Sequence, residues 1–195
     1  MLRKIFNYFG YSFTKLKKTT SIDEIIKLRL KSESPDILLD VGANKGKFTE
    51  YFYNDFKFIY LFEPNPKLVD ELKVKFKKPK VNIFDFGISD ENKTSILNLT
   101  NDSANSLSSI KNQTAALRNN FRNTDVVGTI EIEIKRIDAF LESENLNNSD
   151  IFLKVDTQGN DFETLLGLGK YISNVKFIKI EMPCIKLYDT SYDHW

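Results

Sequence analysis

Residues 36–52 read DILLDVGANKGKFTEYF and carry the clearest structural signal in the chain. The first part of this stretch, 36–41, is a short apolar run that stops at a glycine, which is typical of a buried strand. Residues 45–53 then place three aromatic side chains on one helical face. The turn between them carries Gly42 and Gly46, which let the backbone approach a ligand closely and expose amides at a helix N-terminus. The stretch therefore predicts the strand, turn and helix that open a ligand-binding α/β sheet.

The same alternation continues along the chain. Parallel strands are predicted at 36–41, 57–62, 81–86, 150–155 and 175–181, and helices at 45–53, 66–77, 137–143 and 160–168. Strands that alternate with helices at this spacing imply a mostly parallel, twisted sheet with right-handed crossovers and helices on both faces. The sequence therefore predicts the α/β fold class.

The middle of the chain departs from this alternation. Residues 94–99 and 129–136 are predicted as further strands, and the second alternates with period two. Between them, residues 101–125 are rich in Asn, Ser and Thr. A polar insertion of this length is either a solvated loop or a segment that covers an active site.

Charge is uneven along the chain. Residues 1–31 hold eight basic and two acidic residues, a net charge of +6, whereas 32–195 sum to −5. We expect residues 1–34 to form a basic amphipathic helical extension that packs on the main domain or makes peripheral membrane contact. Within it, Ser21 and Glu24 form a predicted capping box, and the helix ends before Pro35.

Composition excludes several classes of protein. The chain has 195 residues, a net charge of +1, one cysteine (Cys184) and one histidine (His194). A disulfide framework and a His/Cys metal centre are therefore excluded, no metal site is predicted, and acid–base chemistry falls mainly to carboxylates, lysines or tyrosines. Neutrality gives no argument for nucleic acid, so no such partner is expected. The sequence shows neither a membrane-spanning run nor a secretory signal, and we expect a cytoplasmic protein.

The glycine turn differs from the dinucleotide fingerprint. Asn44 and Lys45 stand where Gly-x-Gly-x-x-Gly requires its second glycine and the spacer after it. This departure disfavours a pyrophosphate ligand, and thereby a nicotinamide enzyme. Asn44 is expected to adopt the left-handed conformation that glycine otherwise supplies.

Two further candidate binding elements follow at strand ends. Glu63 ends the second strand, 21 residues after Gly42, where an acid accepts hydrogen bonds from both ribose hydroxyls; the alternatives are a solvated strand-end acid or a helix cap. Residues 87–90 follow the third strand, and either an adenine ring lies against their backbone or they form a simple turn.

Carboxylates mark the other end of the predicted sheet. Asp156 follows the fourth strand, near the point where ligands bind to doubly wound sheets, and Glu181 ends the fifth strand at the same edge. Either one could take a proton from a hydroxyl nucleophile, or Glu181 could be a satisfied strand-end acid. Glu163 is expected to stabilise the dipole of its helix.

Several segments occur together in an order that resembles the FkbM family of S-adenosylmethionine-dependent methyltransferases. They are DVGANKGKFT (40–49), FEP (62–64), GISD (87–90), IEIKRIDAFL (132–141), LKVDTQGNDFETLLG (153–167) and IKIEMP (178–183). The resemblance covers residues 36–185. It implies a Rossmann-like class I methyltransferase fold for a domain at 35–195. One departure is Gln158, where the family usually has Glu.

The resemblance also implies roles for individual residues. The cofactor would be S-adenosylmethionine, with its methionine part at Asp40, Gly42, Asn44 and Gly46, its ribose on Glu63 and its adenine near Gly87, Ile88 and Ser89. Asp156 would lie beside the sulfonium and the acceptor, and family members mostly methylate hydroxyls of sugars and of other small or polymeric acceptors. The Asn/Asp-Pro-Pro-aromatic motif of amino-nitrogen methyltransferases is absent, and Asp-Thr-Gln-Gly stands in its place at 156–159. The expected partner is therefore a small-molecule or glycan acceptor.

Three other functions are alternatives to methylation of a small acceptor. A nicotinamide enzyme, a non-catalytic nucleotide-binding module and an RNA methyltransferase would each use the same sheet.

The C-terminal part of the predicted domain is short. Only 14 residues follow Glu181, so we expect the C-terminal strands of the class to be missing and the fifth strand to lie at or near an edge. An exposed edge favours pairing, which predicts a homodimer.

Overall fold

The computed structural model describes residues 21–101, 106–181 and 185–189. The chain divides into two compact units, Met1–Glu33 and Ser34–Trp195. The predictions that concern residues 1–20, Cys184 and His194 lie outside the described residues. Within those residues, no helix combines the length and the apolar character that crossing a bilayer requires.

In the first unit, helix α1 (Ile22–Glu33) begins at the predicted capping box. The backbone N–H of Glu24 donates to Ser21 Oγ (3.2 Å), and the N–H of Ser21 donates to Glu24 Oε2 (3.0 Å). These reciprocal bonds satisfy amides that the first helical turn leaves without partners. The helix stops two residues before Pro35, as predicted.

The second unit contains two sheets. Its strands are β1 (Ile37–Val41), β2 (Phe58–Phe62), β3 (Val81–Phe84), β4 (Gly87–Ser89), β5 (Lys93–Thr100), β6 (Val126–Arg136), β7 (Ile151–Val155) and β8 (Val175–Ile180). Five of them form a parallel sheet in the order β3-β2-β1-β7-β8. The predicted Rossmann-like α/β class and the five parallel strands are confirmed.

Helices cover both faces of this sheet. The described helices of the second unit are α2 (Lys47–Phe52), α3 (Pro66–Lys75), α4 (Ala115–Asn120), α5 (Ile137–Ser143) and α6 (Asp161–Leu166), with 3-10 turns at Tyr53–Asp55 and Gly169–Asn174. On one face, Phe140 and Leu141 of α5 join the core cluster of alternate strand residues. On the other face, Phe48 of α2 packs against Phe152 with ring centroids 5.9 Å apart. The alternation of side chains across each strand thus gives two buried layers.

The third strand is shorter than predicted, and a separate short strand follows it. β3 ends at Phe84 rather than at residue 86, and Gly87–Ser89 leaves the central sheet to pair in parallel with β6. Gly87 permits this close pairing, because a Cβ there would lie 2.8 Å from Cδ1 of Ile134. A three-stranded sheet, β4-β6-β5, results, in which β5 and β6 are antiparallel.

The described residues of the polar insertion contact other segments of the unit. The insertion contains α4, which the sequence does not predict, and backbone bridges join Ser109 to Asn98 and Gln113 to Tyr188. The Nζ of Lys111 lies 2.7 Å from Oε1 of Glu163 in a largely buried ion pair. This part of the insertion is therefore held against β5, α6 and the segment 185–189.

Candidate active site

A crevice opens at the carboxyl ends of β1 and β7, where the strand order of the sheet reverses. Ligands bind at this point in open α/β sheets, because the loops that leave neighbouring strands diverge there. The cavity has a volume of about 560 Å³ and is lined by the loops after β1, β2, β7 and β8, by the second sheet and by part of the insertion. A cavity of this size is in the range that small-molecule sites occupy.

The loop after β1 forms the floor of the crevice. Gly42, Asn44 and Gly46 all have positive φ, at 71°, 50° and 66°, so the left-handed conformation predicted for Asn44 is confirmed. A Cβ on Gly42 would lie 2.0 Å from the carbonyl oxygen of Asp156. Gly42 therefore allows the loops after β1 and β7 to touch. Gly46 lies behind the crevice, against Leu72 and Phe76.

Glu63 faces the crevice from the end of β2 and is nearly fully buried. Its Oε2 accepts from the backbone N–H of Asn44 (2.8 Å), and its Oε1 accepts from that of Asn65 (3.0 Å). Burial raises the pKa of Glu63, and the two backbone N–H groups partly offset that rise. Each oxygen keeps a lone pair for a ribose hydroxyl, so the carboxylate is fixed in place and still able to bind.

Asp40 lies beneath the crevice and not in its lining. It is fully buried, its Oδ2 accepts from Thr49 Oγ1 (2.7 Å), and its Oδ1 lies 3.1 Å from Lys154 Nζ. The pair follows from strand register, because Asp40 of β1 is directly opposite Lys154 of β7. Lys154 also donates to the carbonyl of Gly42 at 2.7 Å. Asp40 therefore supports the predicted cofactor loop through Lys154.

Lys154 is a candidate functional residue to which the sequence analysis assigns no role. Its burial would lower its pKa, but the charges of Asp40, Asp156 and Glu63 outweigh that effect and raise it. The ammonium is therefore retained as a fixed positive charge in the lining of the crevice. The signal available in the sequence was a lysine two residues before an acid at a strand end, in a strand predicted next to β1.

Asp156 lines the crevice at the end of β7, and its side chain is 29% exposed. Its Oδ1 accepts from Nε2 of Gln158 at 2.6 Å, and its Oδ2 lies 3.9 Å from Lys154 Nζ. Asp161 organises the rest of this loop, since its carboxylate accepts from the backbone N–H groups of Thr157 and Gly159. The carboxylate of Asp156 is thus both oriented and accessible.

Glu181 lines the crevice just after β8 but is more exposed than Asp156. Its side chain is 62% accessible, and Oε1 lies 3.8 Å from Lys179 Nζ. The structure therefore brings both predicted catalytic carboxylates to one cavity. Asp156 is the more enclosed of the two and the one with a hydrogen-bonded position.

The predicted adenine segment is divided between the crevice and the core. Gly87 and Ile88 line the cavity, whereas Ser89 is buried outside the lining, with its hydroxyl 3.3 Å from Oδ1 of Asn160. Asn160 in turn donates from Nδ2 to the carbonyl of Ile88 at 3.0 Å. Ser89 thus supports the segment.

The wall opposite the glycine loop is mostly apolar. The second sheet contributes Leu97, Ile132 and Ile134, and the insertion contributes Leu107, Ile110 and Phe121. Tyr188, from the segment 185–189, supports two lining residues, since its hydroxyl is shared between the carbonyl of Leu107 (3.2 Å) and Oε1 of Gln158 (2.9 Å). Sequence reasoning missed Tyr188, because its partners are 30 and 81 residues away.

A Rossmann-like sheet with a glycine loop, a strand-end acid and a crevice at the switch point is the arrangement in which many α/β proteins bind nucleotide cofactors. The family model described as Methyltransferase FkbM domain matches residues 40–193. The chain belongs to this family, and the resemblance noted from the sequence is confirmed. No curated protein matches the chain.

Two solved structures are similar to parts of the chain. One is the methyltransferase FkbM from Methylobacillus flagellatus KT, with 14% identity and a TM-score of 0.47, covering 75% of this chain. The present chain spans about a third of that structure (32%). The other is from Listeria monocytogenes, and its name proposes an S-adenosylmethionine dependent methyltransferase; it has 12% identity and a TM-score of 0.29, and the match covers 63% of this chain and 79% of that one.

Proposed function

We propose that the chain is an S-adenosylmethionine-dependent methyltransferase that methylates a hydroxyl on a sugar, a glycan or another small acceptor. Family membership supports methyl transfer. The observation that carries the cofactor assignment is the bond from the Asn44 N–H to Glu63, because it joins the glycine loop to the candidate ribose acid in one cavity. The left-handed loop and the buried carboxylate together fit a nucleoside with an amino-acid tail.

Residues of the chain have distinct parts in this function. When bound, S-adenosylmethionine supplies a methyl group on a positively charged sulfur. Glu63 accepts hydrogen bonds from the ribose, and the loop from Gly42 to Gly46 holds the methionine part. Asp156 would take the proton of the acceptor hydroxyl as the bond from that oxygen to the methyl carbon forms and the methyl–sulfur bond breaks, leaving S-adenosylhomocysteine, and Glu181 is the second candidate for this role. Positioning contributes most to such a displacement, which agrees with the network of fixed groups around Asp156.

Calorimetric titration of the full chain with S-adenosylmethionine and with NAD tests the cofactor. We expect binding of the first and none of the second. Glu63→Gln should weaken binding at least about tenfold, or about 1.4 kcal/mol, because an NH2 group replaces one of the two accepting oxygens and can accept neither from a backbone N–H nor from a ribose hydroxyl. Glu71→Gln is the matched control, since Glu71 is exposed on α3. If S-adenosylmethionine does not bind the wild type, the proposed function is wrong.

A methyl-transfer assay over sugars, glycans and glycolipid head groups tests the acceptor. With an acceptor in hand, Asp156→Asn should lower kcat by about 10²–10⁴-fold, the usual contribution of a general base, while S-adenosylmethionine still binds. Normal turnover by Asp156→Asn would indicate that Glu181, and not Asp156, is the general base. Cofactor binding without transfer to any acceptor would favour the non-catalytic module. The feature that supports this alternative is Gln158, which stands where the family usually has Glu.

A further inference from the structure

The side chain of Gln158 bridges Asp156 and Tyr188. Its Nε2 donates to Asp156 Oδ1 at 2.6 Å, and its Oε1 accepts from the hydroxyl of Tyr188 at 2.9 Å. A carboxylate can only accept, so the amide must present its nitrogen to Asp156 and its oxygen to Tyr188. Both ends of the amide are therefore matched to partners of the right polarity.

The backbone at Gln158 is held in an uncommon conformation. Its φ is 55°, in the left-handed region, which is unfavourable for a residue with a Cβ. The carbonyl of Gln158 accepts from Ser109 Oγ at 2.5 Å, which ties this residue to the insertion. The next residue, Gly159, makes room for Tyr188, since a Cβ there would lie 2.6 Å from that of Tyr188. Such strain persists where the surroundings determine the conformation, as at functional sites.

The hydrogen bond from Gln158 engages only one of the two carboxylate oxygens of Asp156. Within the described ranges, the side chain of Asp156 accepts one hydrogen bond, at Oδ1, and its Oδ2 lies 3.9 Å from Lys154 Nζ. The charge of Asp156 also acts on Asp161, whose pKa is raised mainly by burial, and Lys179 and Glu181 line the same cavity. A carboxylate at position 158 would place two carboxylates at hydrogen-bond distance, and such a pair retains a shared proton.

We propose that Gln158 is a positioning residue that orients Asp156 through Oδ1 and leaves Oδ2 to accept the proton of the methyl acceptor. The amide carries no charge and releases no proton, so Asp156 does not share a proton with its neighbour. Tyr188 and Ser109 hold Gln158, which makes the insertion and the segment 185–189 part of the support of the site. The inference rests on the proposed function, because it assigns a task to Asp156 in methyl transfer.

The number of protons released when the cofactor binds tests the proposed role of Gln158. Full-length Gln158→Glu is titrated with S-adenosylmethionine and with S-adenosylhomocysteine in two buffers of different ionisation enthalpy. The positive sulfonium favours ionisation of both carboxylates, whereas the neutral thioether does not, so we expect Gln158→Glu to release up to about one additional proton with S-adenosylmethionine. Wild type and Asn148→Asp should show no such difference between ligands, since Asn148 is exposed in the turn before β7.

Equal proton counts for the two ligands in Gln158→Glu would overturn the proposal. Failure of the wild type to bind either ligand would overturn the proposed function instead. A second measurement needs no cofactor: Gln158→Asn keeps an amide that tolerates the left-handed region but shortens its reach by one methylene. We expect faster hydrogen exchange at 106–110 and 185–189 and no change in β1. Unchanged exchange in both segments would contradict the bridge.

Discussion

Glu63 couples the stability of the fold to pH. Its pKa is raised from an ordinary value near 4.5, chiefly by burial. At a pH between the ordinary and the raised pKa, Glu63 therefore holds a proton in the folded state but has lost it in the unfolded state. The stabilisation that this bound proton gives is complete below pH 4.5 and is lost as the pH rises through the raised pKa. The free energy of unfolding falls by about 1.4 kcal/mol for each pH unit between the ordinary and the raised pKa.

Urea unfolding of wild type and Glu63→Gln between pH 4.5 and 8 measures that contribution. We expect the stability of wild type relative to the variant to fall with rising pH and then become constant, because Gln does not titrate. A relative stability that is flat over this range would mean that Glu63 has its ordinary pKa in the folded state.

The buried ion pair of Asp40 and Lys154 should contribute to the stability of the fold. Lys154→Met removes the cation from a fully buried carboxylate, and loss of one partner of a buried pair costs about 3–5 kcal/mol. Lys154→Met combined with Asp40→Leu should recover part of that loss, because the fully buried carboxylate that lost its cation is removed as well. Denaturant unfolding of the two single variants and the double variant measures the coupling, and additive losses would show that the two charges are independent.

At the scale of elements, the contact between the loops after β1 and β7 depends on Gly42. Gly42→Ala places a Cβ 2.0 Å from the Asp156 carbonyl oxygen and requires a residue with a Cβ at φ 71°. We expect a loss of at least about 1–2 kcal/mol from the backbone alone and weaker cofactor binding, since the loops must separate. Gly128→Ala in β6 is the control, because no other atom lies within 4 Å of its added Cβ. Equal unfolding midpoints for the two variants would contradict the close contact.

The ion pair of Lys111 and Glu163 connects the insertion to α6. Both side chains are largely buried, at 17% and 7% exposure, so Lys111→Met leaves a carboxylate without its cation. Because the insertion can separate from α6 without unfolding the central sheet, we expect increased hydrogen exchange at 106–114 and unchanged exchange in β1 and β7. Global loss of protection would show instead that the pair stabilises the whole unit.

Local patterns predicted the elements that carry their own signals. The glycines at 42 and 46, the apolar runs of β1 and β7 and the strand-end position of Glu63 were sufficient to locate the loop and the crevice. The path of residues 85–89 and the contacts of Gln158 with Tyr188 were not predictable, because they depend on pairing with β6 and on a partner 30 residues away. Non-local contacts of this kind leave no periodic pattern in the sequence.

At the scale of the whole molecule, the central sheet has two edges within the described residues, at β3 and β8. β3 has four residues, whereas β8 has six and presents Ile178 at 42% exposure. A longer edge strand with an apolar exposed side chain is a template for pairing with another chain, and short edges are a common protection against it.

We therefore expect the full chain to self-associate through β8. Sedimentation velocity over a range of protein concentrations should show a shift from monomer to dimer. Ile178→Lys should reduce that shift, because a charge on an edge strand opposes pairing. Val74→Lys is the matched control, since Val74 is 69% exposed on α3, a helix that contacts the opposite edge strand, β3. A monomer at all concentrations would contradict the prediction, and equal association of the two variants would place the interface elsewhere.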